Sequence, residues 1–254
     1  MPEPRTVKEL QAEHPAPPPS RRDPRRGEHD EQSPLRNYVR DVILGLNDGI
    51  VSVYALVAGV SGAAFASREV ALAGLAAAIA GAVSMALGEY LSTKAQAQYY
   101  AAEGEREREH IRRHPDLERE ELRQMLREKD YPQELVEPLT DHIASDEDRF
   151  VSFMMREEFG VGRESERSPA VAMLVVGIAF LAGAALPVVP YLLDLARPLG
   201  WATAASVGGL ALAGAVKGAM AGLSPVKSGA EMAALGSIAA AITFGVGAWI
   251  GTAL

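Results

Sequence analysis

The chain of 254 residues contains no cysteine. That excludes disulfides, a thiolate nucleophile and any zinc or iron–sulfur site built on cysteine, so a metal would have to be held by Asp, Glu, His, Met or backbone oxygen. Positive charge is not in excess either. The formal net charge is −8, and residues 99–168 alone hold 20 acidic against 12 basic side chains, which supplies the whole imbalance. An acidic module of this kind disfavours nucleic acid as partner and attracts cations. The first 35 or so residues almost lack apolar side chains, and PAPPPSRRDPRR at their centre predicts a disordered tail over 1–36. No short apolar core and A-x-A site follow the basic stretch, so a secretory signal peptide is not expected.

What the sequence does contain falls into two unlike populations. The mean hydropathy of +0.02 averages long Ala, Gly, Val and Leu runs with one run dominated by Glu and Arg, a division that a soluble globular domain does not show. Five apolar segments, Val42–Phe65, Val70–Leu91, Ala170–Leu193, Gly200–Leu223 and Ala230–Ala253, each approach the roughly 20 residues that cross a bilayer as a helix. The predicted class is an all-α membrane protein with five transmembrane helices and a cytoplasmic three-helix metal-binding insert between helices two and three. The boundaries are a tail at 1–36, helices one and two in 37–98, the insert at 99–168 and helices three to five in 169–254. Small residues in GAVSMALG, GGLALAGAVKGAMAG and FGVGAWIG predict faces where helix backbones approach closely.

Basic residues set the orientation. Arg21, Arg22, Arg25, Arg26, Arg36 and Arg40 precede the first segment and many more lie in the insert, whereas the link after segment one has only Arg68 and that after segment three only Arg197. The N-terminus and insert are therefore expected in the cytoplasm and the C-terminus on the far side. Within the insert, AEGEREREHIRRH, DLEREELRQMLREKD with Asp116 as N-cap, and QELVEPLTDHIASDEDRFVSFMMREEFG read as three helices, the last stopped by Gly160 and Gly162. Leu117, Leu122, Met125 and Leu126 are expected on one apolar face and Leu135, Leu139 and Ile143 on another.

The polar residues inside apolar runs carry the chemistry. GLNDGIVSVYALVAGVSGAA, from Gly45, holds Asn47 and Asp48 beside Gly49. A carboxylate near the centre of a lipid-exposed helix costs at least about 2.5–3.5 kcal/mol, so such a residue usually faces a hydrated path or a partner; a boundary position, snorkelling or capping, is the bland alternative. Met85 and Glu89 lie one turn apart in AVSMALGEYL, in the cytoplasmic half of an antiparallel helix, so a thioether and the Asp48 carboxylate can meet at similar depth, with Glu89 nearer the surface. In the insert Glu103 and Glu107, Glu107 and His110, and Glu118 and Glu121 share helix faces, although in so charged a segment a solvated face is the default. FMMREEFG is sharper, because Met154 and Met155 stand four and three residues before Glu158; core packing is the alternative for the methionines. The single Glu-x-x-His, Glu107 to His110, and the short insert do not make a ferritin-like di-iron bundle.

RDVILGLNDGIVSVYALVAGVSGA, AGAVSMALGEYLS and FMMREEFG together resemble the vacuolar iron transporter family over residues 40–254. The resemblance implies a five-helix membrane protein acting as a homodimer with an ion path on its two-fold axis. It implies movement of ferrous iron, and often manganese, out of the cytosol in exchange for protons. Position by position, Asp48 and Met85 match metal-binding residues of the path, while Glu107, Glu118, Glu121, Met154, Met155 and Glu158 match ligands in the cytoplasmic domain. His110 stands where a Glu is usual in one branch, which lowers site charge and makes metal affinity more sensitive to protons.

A mixed carboxylate and thioether set suits first-row transition metals, since a thioether adds nothing for Mg2+ or Ca2+. The expected cargo is Fe2+ or Mn2+, with Zn2+ and Co2+ as the other ions such ligands take. No enzyme activity and no resident cofactor are expected, and the partners are metal ions, protons, the lipid bilayer and a second copy. The alternative is a membrane-anchored iron-binding or iron-oxidising protein without transport. The Ala/Arg-rich composition and the lack of a vacuolar sorting signal lead to the expectation of a bacterial plasma membrane.

Overall fold

A computed structural model describes residues 38–160 and 167–253; the expected tail at 1–36 and Gly162 lie outside the described residues. Eight helices and no strands occur among the described residues: α1 (Val39–Gly62), α2 (Ser67–Arg113), α3 (Pro115–Glu128), α4 (Gln133–Ala144), α5 (Glu147–Phe159), α6 (Pro169–Leu192), α7 (Pro198–Met220) and α8 (Pro225–Ala253). Five of them, α1, α2, α6, α7 and α8, are long and apolar enough to cross a membrane. The chain is an all-α integral membrane protein.

The described residues divide into two compact units, one formed by residues 38–94 with 167–253 and the other by 95–160. In the first, α1 is the central element, and its glycines let α6 and α8 approach at backbone distance. A Cβ at Gly49 would meet the Phe180 carbonyl of α6, and one at Gly62 would meet the Phe244 carbonyl of α8. Thr243 of α8 donates a hydrogen bond to the Ala55 carbonyl at 2.6 Å, and Ser61 and Tyr191 share another at 2.6 Å. The sequence expectation of small-residue faces holds for Gly214 and Gly247, while Gly88, Gly208 and Gly245 have nothing within 4 Å among the described residues. Helix α2 packs by side chains instead, with Ala78 and Ala82 in a buried cluster that includes Val53, Val57, Phe180 and Val188.

In the second unit the expected first helix proves to be the continuation of α2. At 47 residues and 1.5 Å per residue, α2 is about 70 Å long, over twice the roughly 30 Å that a spanning helix needs. The expected third helix is two helices. It breaks at Ser145, where Asp146 caps α5 by accepting a hydrogen bond from the Arg149 N–H at 2.8 Å. Asp116 is not a cap: His114 is the N-cap of α3, with Pro115 in its first turn. Gly160 does stop α5, in the left-handed region with φ 61°.

Leu122, Leu126, Val136, Phe150, Val151 and Met154 form the core of this unit. Leu117 is 65% exposed and Leu135 is exposed as well; five residues separate Leu117 from Leu122, about 140° around the helix, so it cannot share that face. Charge pairs join the helices at the surface. Arg123 grips Glu137 of α4 with two bonds of 2.8 Å, and Arg108 and Arg112 of α2 bond Glu147 of α5 at 3.1 and 2.8 Å.

Candidate functional site

Asp48 lies in the third turn of α1, well inside the helix, which removes the capping alternative. It is half-buried. Its carboxylate-bearing residue and Met85 of α2 line one cavity of about 320 Å³, together with Ser52, Gly81, Ser84 and Phe180. Two causes bring them there. Gly49 seats α1 against the Phe180 backbone, and the Phe180 ring then lies over Gly81, where a side chain on α2 would collide with it. Asp48 and Met85, the oxygen and sulfur donors singled out in the sequence, thus border the same cavity of the apolar unit. Ser52 donates to the Asp48 carbonyl at 2.5 Å, which leaves the carboxylate free of it. A larger cavity of about 730 Å³, with Lys217 and Asn47 on its wall, is otherwise lined mainly by aliphatic side chains and offers no carboxylate.

Glu89 does not line the Asp48–Met85 cavity. It accepts a hydrogen bond from Thr93 at 3.0 Å and pairs with Arg167 at 3.3 Å. Arg167 in turn binds the buried Asp41. Sequence reading missed Asp41 and Arg167, although Asp41 stands seven residues before Asp48, on the same face of α1; nothing in the local pattern indicated Arg167, 126 positions away.

In the second unit the candidate carboxylates meet in pairs. Glu107 of α2 faces Glu118 of α3, and Glu121 of α3 faces Glu158 of α5. Glu107 is 8% exposed, and its Oε1 has no hydrogen-bond partner among the described residues. Burial first, and then the charges of Glu118, Glu158 and Glu121, push its carboxyl up to about 7. Burial and Glu121 raise Glu118 as well, and Glu158 is raised by desolvation and by Glu121. His110 is exposed, with Nδ1 4.0 Å from Glu118 Oε1. Met155 is buried beside Met154, which lies wholly inside the apolar core. Glu103 is turned to Arg106 at 2.6 Å. Among the described residues no three His, Asp or Glu side chains converge on one point as a formed metal site.

A profile of the VIT family matches residues 39–248. The chain belongs to the VIT family. Among its relatives, a protein named vacuolar iron transporter 2 from Oryza sativa subsp. japonica is 34% identical over 210 residues, 82% of this chain and 85% of the relative. Vacuolar iron transporter 1 of Arabidopsis thaliana is 34% identical over 209 residues, 81% and 83% of the two chains. The vacuolar iron transporter of Toxoplasma gondii is 31% identical over 241 residues, 87% and 78%. The VIT match takes in four spanning helices, most of α8 and the whole acidic insert, so the cavity and the carboxylate pairs both lie within the family region. These relatives are all eukaryotic, and the expected bacterial plasma membrane draws no support from them.

Proposed function

We infer that this VIT-family chain is a divalent transition-metal transporter that moves Fe2+ and Mn2+ out of the cytoplasm in exchange for protons, acting as a homodimer. The observation that carries the reading is the shared cavity of Asp48 and Met85 between spanning helices. An acid there is costly unless it serves a polar path, and a thioether opposite it selects against the far more abundant Mg2+ and Ca2+. Ionised Asp48 accepts the metal from the cytoplasmic side, and protons arriving from an acidic far side compete for its oxygens and release the ion. The family membership and the names of the relatives support metal transport as the activity. In the insert, Glu107, Glu118, Glu121 and Glu158, with His110 and Met155 at the margin, collect metal as their shared protons leave.

The test is flux into liposomes. The full chain, reconstituted with an acidic lumen, takes up Mn2+ or Fe2+, and Asp48→Ala or Met85→Ala abolishes uptake while the folded yield is unchanged. Uptake that survives both substitutions refutes the path. Metal binding without any flux in the unsubstituted protein would favour the anchored metal-binding alternative.

A further inference from the structure

Next to the proposed path the protein holds a cation of its own. Asp41, at the start of α1, is 2% exposed, and the Arg167 side chain, just before α6, is 9% exposed. One guanidinium nitrogen, Nη2, donates to Asp41 Oδ2 and, at 3.3 Å, to Glu89 Oε1. The Tyr38 ring covers the guanidinium at 5.4 Å, and the Tyr38 hydroxyl accepts from the Ser168 N–H at 3.2 Å. Arg167 Nε is buried with no hydrogen-bond partner among the described residues.

Stability alone does not account for this group. A buried ionic triad is often replaceable by apolar side chains at no cost, and an orphaned donor adds a further penalty. Its position is informative. Asp41 precedes Asp48 by seven residues and Glu89 follows Met85 by four, so each lies on the same helix face as a residue of the cavity, two turns and one turn nearer the cytoplasmic ends. An ion approaching Asp48 along these faces meets carboxylates that a guanidinium already fills.

We propose that Arg167 is a tethered cation that occupies the Asp41–Glu89 pair until a divalent metal ion displaces it, so that admission of metal and release of Arg167 are one exchange. Arginine suits the task because it never deprotonates, so protons cannot empty the site. With Arg167 in place the two carboxylates keep one net negative charge; a divalent ion neutralises both, whereas Na+ or K+ gains nothing over the guanidinium and is refused. The unpartnered Nε weakens the hold of Arg167 and makes the exchange reversible. Arg167 is thus a positioning and selectivity residue, and its role rests on the transport reading above.

The experiment uses the full chain, with Mn2+ as probe, in liposomes for initial uptake rates and in detergent for binding followed by Mn2+ electron paramagnetic resonance. Arg167→Gln lowers the half-saturating Mn2+ concentration by roughly tenfold, within the usual range of coupling between two ligands, and adds Mn2+ binding that disappears again in Glu89→Gln/Arg167→Gln. Arg167→Lys, a charge without the planar fork, falls between. Where Arg167→Gln does not fold, Asp41→Asn/Arg167→Gln keeps the net charge of the group, frees Glu89, and shifts half-saturation the same way. If the variants show only a lower maximal rate, with half-saturation and binding as in the parent, Arg167 is a structural brace and the proposal falls while transport stands. If the parent shows no flux but Arg167→Gln still gains Glu89-dependent binding, the transport reading falls and the displaceable cation stands.

Discussion

Removing the proton from Glu107 should loosen the insert, and the direction follows from its surroundings. Its carboxyl holds a proton up to about pH 7 in the folded chain, against an ordinary value of 4.5. Between those values the folded state binds a proton that the unfolded state has released, so stability is complete below about pH 4.5 and is lost as pH rises through 7. At 1.36 kcal/mol for each pH unit, the loss is about 3 kcal/mol, or roughly a hundredfold in the opening equilibrium. Glu118 and Glu158 are raised too and act in the same direction. Glu137 and Glu147 are lowered by Arg123 and Arg112, so what they contribute is present above their unfolded value and is lost only as pH falls below the range of the test.

Hydrogen exchange of the metal-free full chain, followed by mass spectrometry over residues 118–126 and corrected for intrinsic rates, reads this directly. These residues include Leu122 and Leu126, which are fully buried. Protection should fall by roughly a hundredfold between pH 5 and pH 8, and Glu107→Gln, a neutral stand-in for the protonated acid, should remove most of the slope. Mn2+ added at pH 8 should restore protection, because an ion neutralises the same buried charge. An unaltered slope in Glu107→Gln, or protection that increases with pH, refutes the assignment of the proton to this buried pair.

Gly49→Ala places a methyl against the Phe180 backbone and should cost at least about 1–3 kcal/mol, seen as a lower melting temperature and a lower folded yield. Gly88→Ala meets nothing and should be neutral or stabilising by about 0.5–1 kcal/mol; equal effects at the two sites would contradict the packing described. Met154→Ala should destabilise the metal-free insert by about 2–5 kcal/mol, whereas Met154→Leu should change stability by less than about 1.5 kcal/mol. If metal binding then survives Met154→Leu, the buried thioether is packing and not a ligand.

Much of this was legible because a bilayer imposes one dominant rule. Runs of about 20 apolar residues had to be helices, so all five spans were found, and except at the far end of α2, which runs on to Arg113, their ends were placed within about five residues. That Asp48 and Met85 border one cavity was legible for the same reason, since two antiparallel helices joined by a short link bring equal depths together. Hydropathy misled where the rule stops applying. It ended helix two at Leu91, yet AQAQYYAAEGEREREHIRR is rich in helix formers, and no proline interrupts it before Pro115. The break at Ser145 was signalled by SDED, whose Asp146 is a good cap and whose acids suit a helix start; the surrounding pattern of charges hid it. Pairings across long separations left no periodic trace, and Arg167 with Asp41 is the clearest case. The cavity bordered by Asp48 and Met85 follows from residues that must cross oil, whereas the Arg167–Asp41 pair is a contact that only the folded chain reveals. For that reason substitutions at Asp48 test the proposed transport, and substitutions at Arg167 test the proposed exchange of its guanidinium for a metal ion.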